Sequence, residues 1–228
     1  MKYYLGGDAN GIYRHGECPE NGTPPPGAIF CSQSQYENWK SLAIVNGEIV
    51  AASDSVLLQQ AQSAQIALVT KGYNTATDYV TVTINGTAYQ VDNTPGKQAL
   101  NLSLAITANA MLNSPAWAAS TEYAAGSYCN VGGVILFCSA SGKSGASAPT
   151  PPTTFGTPVT DGTAEWELMG RKVYLQGGSF VYMTPQQIMS AFQQGELYLH
   201  QMSNQLVSLI AQINAAQTSG AVAAIVWP

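Results

Sequence analysis

The chain has 228 residues, enough for one large domain or two modest ones with a sizeable buried core. Apolar residues make up 46% but charged residues only 9%, against about 25% in an ordinary domain. Gln, Asn, Ser, Thr and Gly fill the gap, giving a neutral polar surface suited to packing against copies or partners. The net charge is −5, and the eight basic residues form no stripe that could follow a phosphate backbone, which argues against nucleic-acid binding.

The opening Met1-Lys2-Tyr3-Tyr4-Leu5 has neither the basic nor the apolar region of a signal peptide, and no apolar run reaches the ~18 residues of a membrane span. A chain made in a cytoplasm and not inserted into a membrane is expected. Residues 2–5 and 12–15 flank a Gly/Asn loop and predict a hairpin. Pro24-Pro25-Pro26-Gly27 predicts a loop, and residues 32–42 a short helix carrying Tyr36 and Trp39. Asn46-Gly47 between two apolar runs predicts a type I′ hairpin.

A helix capped by Ser53 or Asp54 is expected to run to about Thr70, with Leu57, Ala61, Ala64 and Leu68 on one face and glutamines on another. Lys71-Gly72 would end it, as a basic last turn and a C′ glycine. Residues 79–91 form a second Asn-Gly hairpin signal at Asn85-Gly86. A helix over 95–112 follows, with Thr94 as cap and Pro95 at its first position.

Residues 116–170 are rich in Gly, Ser, Thr, Pro and aromatics without a helical period, which predicts an all-β module. A third hairpin spans 173–183. The last helix is expected from Pro185, capped by Thr184, to about Gln217. Along it Ile188, Phe192, Gly195, Leu199, Met202, Leu206, Leu209 and Ile213 recur in steps of four and three. That seam either covers the chain's own core or meets the same helix in other subunits. A short apolar tail, residues 221–227, is expected to dock as a strand. The predicted architecture is α+β: a β-rich unit over 1–52, a helix and hairpin domain over 53–115 and 171–228, and the β-module over 116–170 inserted into it.

Within 116–170 stand Trp117, Tyr123, Gly126, Gly133, Phe137-Cys138, Ser141-Gly142-Lys143-Ser144-Gly145, Ala148-Pro149-Thr150 and Asp161-Gly162-Thr163-Ala164-Glu165-Trp166. This stretch of about 55 residues resembles carbohydrate-binding modules of the chitin-binding type, in a variant embedded in phage tail proteins. It departs at Phe137, where tyrosine is more usual, and lacks the paired tryptophans of the chitinase modules. The run Val82-Thr83-Ile84-Asn85-Gly86-Thr87-Ala88-Tyr89-Gln90-Val91-Asp92 leading into a helix, with the later hairpin and long helix, resembles a domain of tail-fibre and tail-fibre-assembly proteins. The opening, with Pro26-Gly27-Ala28-Ile29-Phe30 before Gln35-Tyr36-Glu37-Asn38-Trp39, is similar to the start of such proteins.

The resemblance implies a virion tail protein of the fibre or baseplate region. Its partners would be other tail or fibre subunits and host surface polysaccharide, and it would act as an oligomer. A tail-fibre assembly chaperone that leaves before the virion matures is the alternative, and a secreted polysaccharide-degrading enzyme a third reading. The candidate glycan-binding residues are Trp117, Tyr123, Tyr128, Phe137 and Trp166, because aromatic faces stack on sugar rings. A module this small needs the same rings for its core. Trp117 and Trp166 are expected mainly there, and Tyr123 and Tyr128 as exposed platforms.

Catalysis finds little support in the residues. Ser139 to Ser144 has the ending of a phosphate-binding loop, but Phe137 stands where its first glycine belongs. His15 and His200 are the only histidines, and no G-x-S-x-G elbow exists. Asp161, Glu165 and Glu167 cluster as a glycosidase pair might, but Asp161-Gly162 predicts a turn. Cys18, Cys31, Cys129 and Cys138 lack metal-ligand spacing and are expected as small buried hydrophobes, with a Cys129–Cys138 disulfide as the alternative. No catalytic residue, metal or cofactor is expected.

Overall fold

The computed structural model describes all 228 residues, from Met1 to Pro228. The fold is α+β, with small antiparallel sheets and five helices. No helix is long and apolar enough to cross a membrane. The chain divides into two compact units, Met1–Gly72 with Gln205–Pro228, and Tyr73–Asn204. The division falls inside two helices, Asp54–Thr77 and Pro185–Ala215.

In the first unit β1 (Lys2–Asp8) pairs with β2 (Gly11–Cys18) on one side and β3 (Ala28–Cys31) on the other. Leu5 and Ile12 are buried. Helix α1 (Gln33–Glu37) carries a full capping box, the Ser32 hydroxyl accepting from the Gln35 amide and the Gln35 side chain accepting from the Ser32 amide. Strands β4 (Leu42–Val45) and β5 (Glu48–Ala51) turn at Asn46 and Gly47, with φ of 52° and 82°. Two positive φ values are what a type I′ turn requires.

Helix α2 (Asp54–Thr77) runs seven residues beyond the expected Thr70. Gly72 does not end it. A Cβ at Gly72 would lie 2.6 Å from Cβ and Cγ of Trp227, so the glycine is a notch that lets the tail tryptophan lie against the helix. The buried face also differs from the one expected. Leu68 is 59% exposed and Ala64 is exposed, whereas Leu58, Ala61, Ile66 and Val69 pack with Leu206, Leu209, Ile213 and Val222. Gln62 and Gln65 share that inward face and donate to the carbonyls of Ile213, Ala216 and Ile225 at 3.1, 3.2 and 2.6 Å. Ile213 and Ala216 lie at the end of the helix Pro185–Ala215 and Ile225 beyond the last helical turn, where carbonyls run short of intrahelical N–H partners.

The second unit is built on two hairpins. Strands β6 (Tyr79–Ile84) and β7 (Thr87–Asp92) turn at Asn85 and Gly86, and bury Val80, Val82 and Ile84 while Thr81 and Thr83 face out. Helix α3 (Pro95–Leu112) starts and ends where predicted. The Thr94 hydroxyl donates to Asp92 Oδ1 at 2.7 Å rather than capping the helix, whose first amides use the Thr94 carbonyl.

Then come β8 (Glu122–Tyr123), β9 (Tyr128–Val131), β10 (Val134–Ala140), β11 (Gly142–Lys143), β12 (Val159–Asp161) and β13 (Ala164–Leu168). Four of them form one sheet in the order β12-β13-β10-β9, and β11 pairs with β8. This is the predicted β-module. The second hairpin, β14 (Arg171–Tyr174) with β15 (Phe180–Met183), meets β7 through a Val91–Leu175 bridge. Helix α4 (Pro185–Ala215) opens with a capping box between Thr184 and Gln187.

The core of this unit joins Val80, Val82, Ile84 and Val91 to Ala108, Val173, Met183 and Ile188. The module is fastened to it by a cluster of Met111, Ile135 and Met169, and by Gln186, whose amide donates to the Gly133 carbonyl.

The seam along α4 is consumed by the chain's own cores. Ile188 and Leu199 belong to the core of the second unit, and Leu206, Leu209 and Ile213 to that of the first. Phe192 and Met202 are half-buried. After α4 the tail forms a helical turn, α5 (Ser219–Ala223), not a strand. Thr218 caps it, accepting from the Ala221 amide at 3.2 Å, and Val222 is buried.

Candidate functional site

The module is organised around one carboxylate. Asp161 and Gly162 make the tight turn between β12 and β13, as predicted, but the Asp161 side chain points inward and is only 5% exposed. Its Oδ2 accepts from Trp117 Nε1 at 2.7 Å and Trp166 Nε1 at 3.2 Å, and its Oδ1 accepts from the Gly145 amide at 2.7 Å. Gly162 has a φ of +68°, and a Cβ there would collide with the Lys143 carbonyl oxygen. The Ser141–Gly145 run is therefore a structural loop. Ser144 donates to the Ala118 carbonyl at 2.7 Å and accepts from the Thr121 amide at 2.9 Å.

Of the five candidate rings, Trp117 and Trp166 take the core places expected of them, and Tyr123 departs from its expected exposed one. Trp166 is wholly buried, because its indole N–H has an acceptor inside the core. Trp117 is half-buried against the same core and tied to the same acid. Tyr123 is not an exposed platform. Its hydroxyl accepts from the Ala118 amide at 2.8 Å, and its ring meets Trp166 edge-on at 4.8 Å.

Cys129 and Cys138 lie in this core as free thiols, and Cys18 and Cys31 are free as well. Burial first, with Cys138 and Asp161 adding to it, pushes the Cys129 thiol from 9.0 up to about 12. Cys31 is half-buried rather than buried.

Tyr128 and Phe137 have a different fate. They face each other across β9 and β10, with ring centroids 5.7 Å apart, and both line a groove of 450 Å3. Phe155 and Tyr182, 5.6 Å apart, line the same groove. Phe155 comes from the Pro/Thr-rich loop before β12, and Tyr182 from β15, outside the module. Phe155 lies over Gly170, where a Cβ would collide with its ring. Tyr182 is braced edge-on by Phe180 at 5.8 Å, and Lys172 Nζ lies 4.4 Å from the Phe180 centroid. Glu167 and Arg171 place one carboxylate and one guanidinium in the lining.

Phe155, Tyr182, Glu167 and Arg171 were absent from the sequence-based set. A signal existed in the alternation of Phe180 and Tyr182, which puts two rings on one exposed face of a hairpin strand.

A second cavity of 490 Å3 lies between β6, β7, α3 and α4. Its apolar lining is the core of the unit, including Val80, Val82, Leu104 and Ile188. Its amides serve the backbone: Asn93 donates to the Thr77 carbonyl, Asn101 to that of Asp92 and Gln98 to that of Asn93. The smaller groove is the better candidate, since its rings open to solvent and its charged groups do not serve the backbone.

The histidines sit apart from this groove's lining. His15 stacks on Trp39 at 4.5 Å, and His200 is exposed on α4. Glu165 is exposed on β13, on the face away from Trp166. No family model matches the chain, and neither does any curated protein or solved structure.

Proposed function

We propose that this chain is a structural protein of a bacteriophage tail, in the fibre or baseplate region, attaching to host-surface polysaccharide through a non-catalytic β-module. The aromatic groove carries this reading. Four rings and two charged groups on the module's flank suit a ligand with apolar faces and hydroxyl edges. The resemblance of residues 116–170 to carbohydrate-binding modules, and of the surrounding hairpins and helices to tail-fibre proteins, supports the setting. Attachment by surface complementarity would draw its strength from repeated copies rather than from single-site affinity.

Contacts with other subunits have a physical basis in α3, where Leu102 is 51% and Ile106 62% exposed. Apolar faces of this kind mark interaction surfaces. The same faces would serve a tail-fibre assembly chaperone, which is the second reading.

Quantitative mass spectrometry of purified particles separates the two. A structural subunit is present at a fixed multiple per virion. A chain found in infected-cell lysate but missing from particles overturns the structural reading in favour of the chaperone.

A further inference from the structure

The groove belongs only partly to the module. Tyr128, Phe137 and Glu167 come from its sheet and Phe155 from its loop, whereas Arg171 and Tyr182 come from the β14–β15 hairpin. Ring contact between Phe155 of the module and Tyr182 of the hairpin, 5.6 Å between centroids, joins the two parts directly, and the module is also tied to α3 by the Met111–Ile135–Met169 cluster and to α4 by the Gln186 bond to the Gly133 carbonyl. A cavity of 450 Å3 falls within the range of about 300–1,000 Å3 usual for small-ligand sites.

The lining also narrows the ligand. Ring faces offer apolar surface for the C–H face of a pyranose, and Glu167 and Arg171 offer an acceptor and a forked donor for hydroxyls. One carboxylate balances one guanidinium. An anionic ligand would gain at Arg171 what it loses at Glu167, and a cationic one the reverse, so the pair favours neither sign. Lys172 is the nearest further cation, and its ammonium is placed over the rings of Phe180 and Tyr182.

We propose that this groove binds a short uncharged oligosaccharide across the junction between the module and the β14–β15 hairpin, so that binding requires Tyr182 as well as Tyr128. The proposal rests on reading the chain as a surface-binding protein, and it adds the site and the ligand class.

The test uses the full chain in isothermal titration with neutral trisaccharides of glucose, galactose and N-acetylglucosamine, and with trigalacturonate as the anionic probe. At least one neutral probe is expected to bind, with an affinity that does not change between low and high salt. Tyr182→Ala and Tyr128→Ala are each expected to weaken it about tenfold, and Tyr182→Phe to keep it, since the ring remains. Thermal melts of the same variants check that the fold is kept.

Unchanged binding by a folded Tyr182→Ala overturns the junction site. Binding of trigalacturonate alone, or salt-sensitive binding, overturns the ligand class, and binding of no probe overturns the proposal. None of these depends on the particle count. A chain present in virions that binds no saccharide removes the groove proposal alone, and a chain absent from virions that binds one removes the tail assignment alone.

Discussion

Two groups of aromatic rings lie within one small module and meet opposite fates. Trp117, Tyr123 and Trp166 are held inside, and Tyr128 and Phe137 stand at an open groove. Hydrophobicity does not separate them, since both groups contain a tyrosine beside a larger or equal apolar ring. The polar atom does. Each inner ring has a fixed internal partner, Asp161 for the two indoles and the Ala118 amide for Tyr123. Burying a polar group without a partner is costly, so a ring goes inside only where its N–H or O–H is received. Phe137 has no polar atom to be received and the Tyr128 hydroxyl has no receiver in that core; both pack instead on the Met111–Ile135–Met169 cluster and line the groove.

The largest effect should come from removing the shared receiver. Asp161→Ala strands three donors, and each buried donor left without an acceptor costs about 1–3 kcal/mol. A loss of about 3–5 kcal/mol is expected, near the low end of the sum because Trp117 is only half-buried. Chemical denaturation measures it. A loss below about 1 kcal/mol would mean that the inner rings are held by packing alone, and the comparison would fail.

The glycines sharpen the same contrast. Gly162→Ala puts a side chain at a φ of +68° and against a backbone carbonyl that cannot move away. The left-handed backbone alone costs about 1–2 kcal/mol. At Gly170→Ala the nearest atoms are those of the Phe155 side chain rather than backbone, and no left-handed φ is involved. Its expected cost in stability is below that of Gly162→Ala, although it disturbs the groove wall. Equal losses in melting experiments would place Phe155 in the core rather than at a site.

Some of this was legible in the sequence, and the physics explains which part. Both Asn-Gly hairpins, the limits of α3 and the Thr184 capping box are local, decided by residues within a few positions of one another. Gly72 and Trp227 are not local. A glycine after a lysine reads as a helix end until a ring 155 positions away fills its missing side chain. The helix's glutamines were placed on another face than the apolar one, yet Gln62 and Gln65 share the packed face and reach carbonyls near the end of α4 and in the tail.

The same division governs the site. Tyr128 and Phe137 were legible as candidate rings of the module. The part played by Phe155 and Tyr182 was not, because the two rings meet only where the module's loop reaches the β14–β15 hairpin. The Asp161-Gly162 turn was read correctly, while the side chain's second role, receiving indoles from residues 117 and 166, depends on the finished core.

The thiol inside the core offers a test in alkali. The unfolded Cys129 thiol ionises near 9.0 and the folded one near about 12, so the folded state keeps a proton that the unfolded state gives up. Cys129 therefore leaves stability unchanged below pH 9.0 and lowers it as the pH rises from 9.0 toward about 12. Cys129→Ala should flatten that part of the profile, measured as the difference between the two proteins' denaturation midpoints. Parallel profiles would mean that water reaches this side of the core.

The finest distinction is between two hydroxyls. Tyr123→Phe leaves the Ala118 amide without its acceptor, and about 0.5–1.5 kcal/mol should be lost. Tyr128→Phe removes a hydroxyl from a ring on the groove wall, and its stability should change by less than about 0.5 kcal/mol. In saccharide titrations the order should reverse, with Tyr128→Phe the only one of the two that can lose a contact to a sugar hydroxyl. Paired melts and titrations on these two variants ask whether one oxygen atom decides between a ring that builds the module and a ring that serves it. If Tyr123→Phe loses saccharide affinity at unchanged stability, the assignment of the inner and outer rings is reversed.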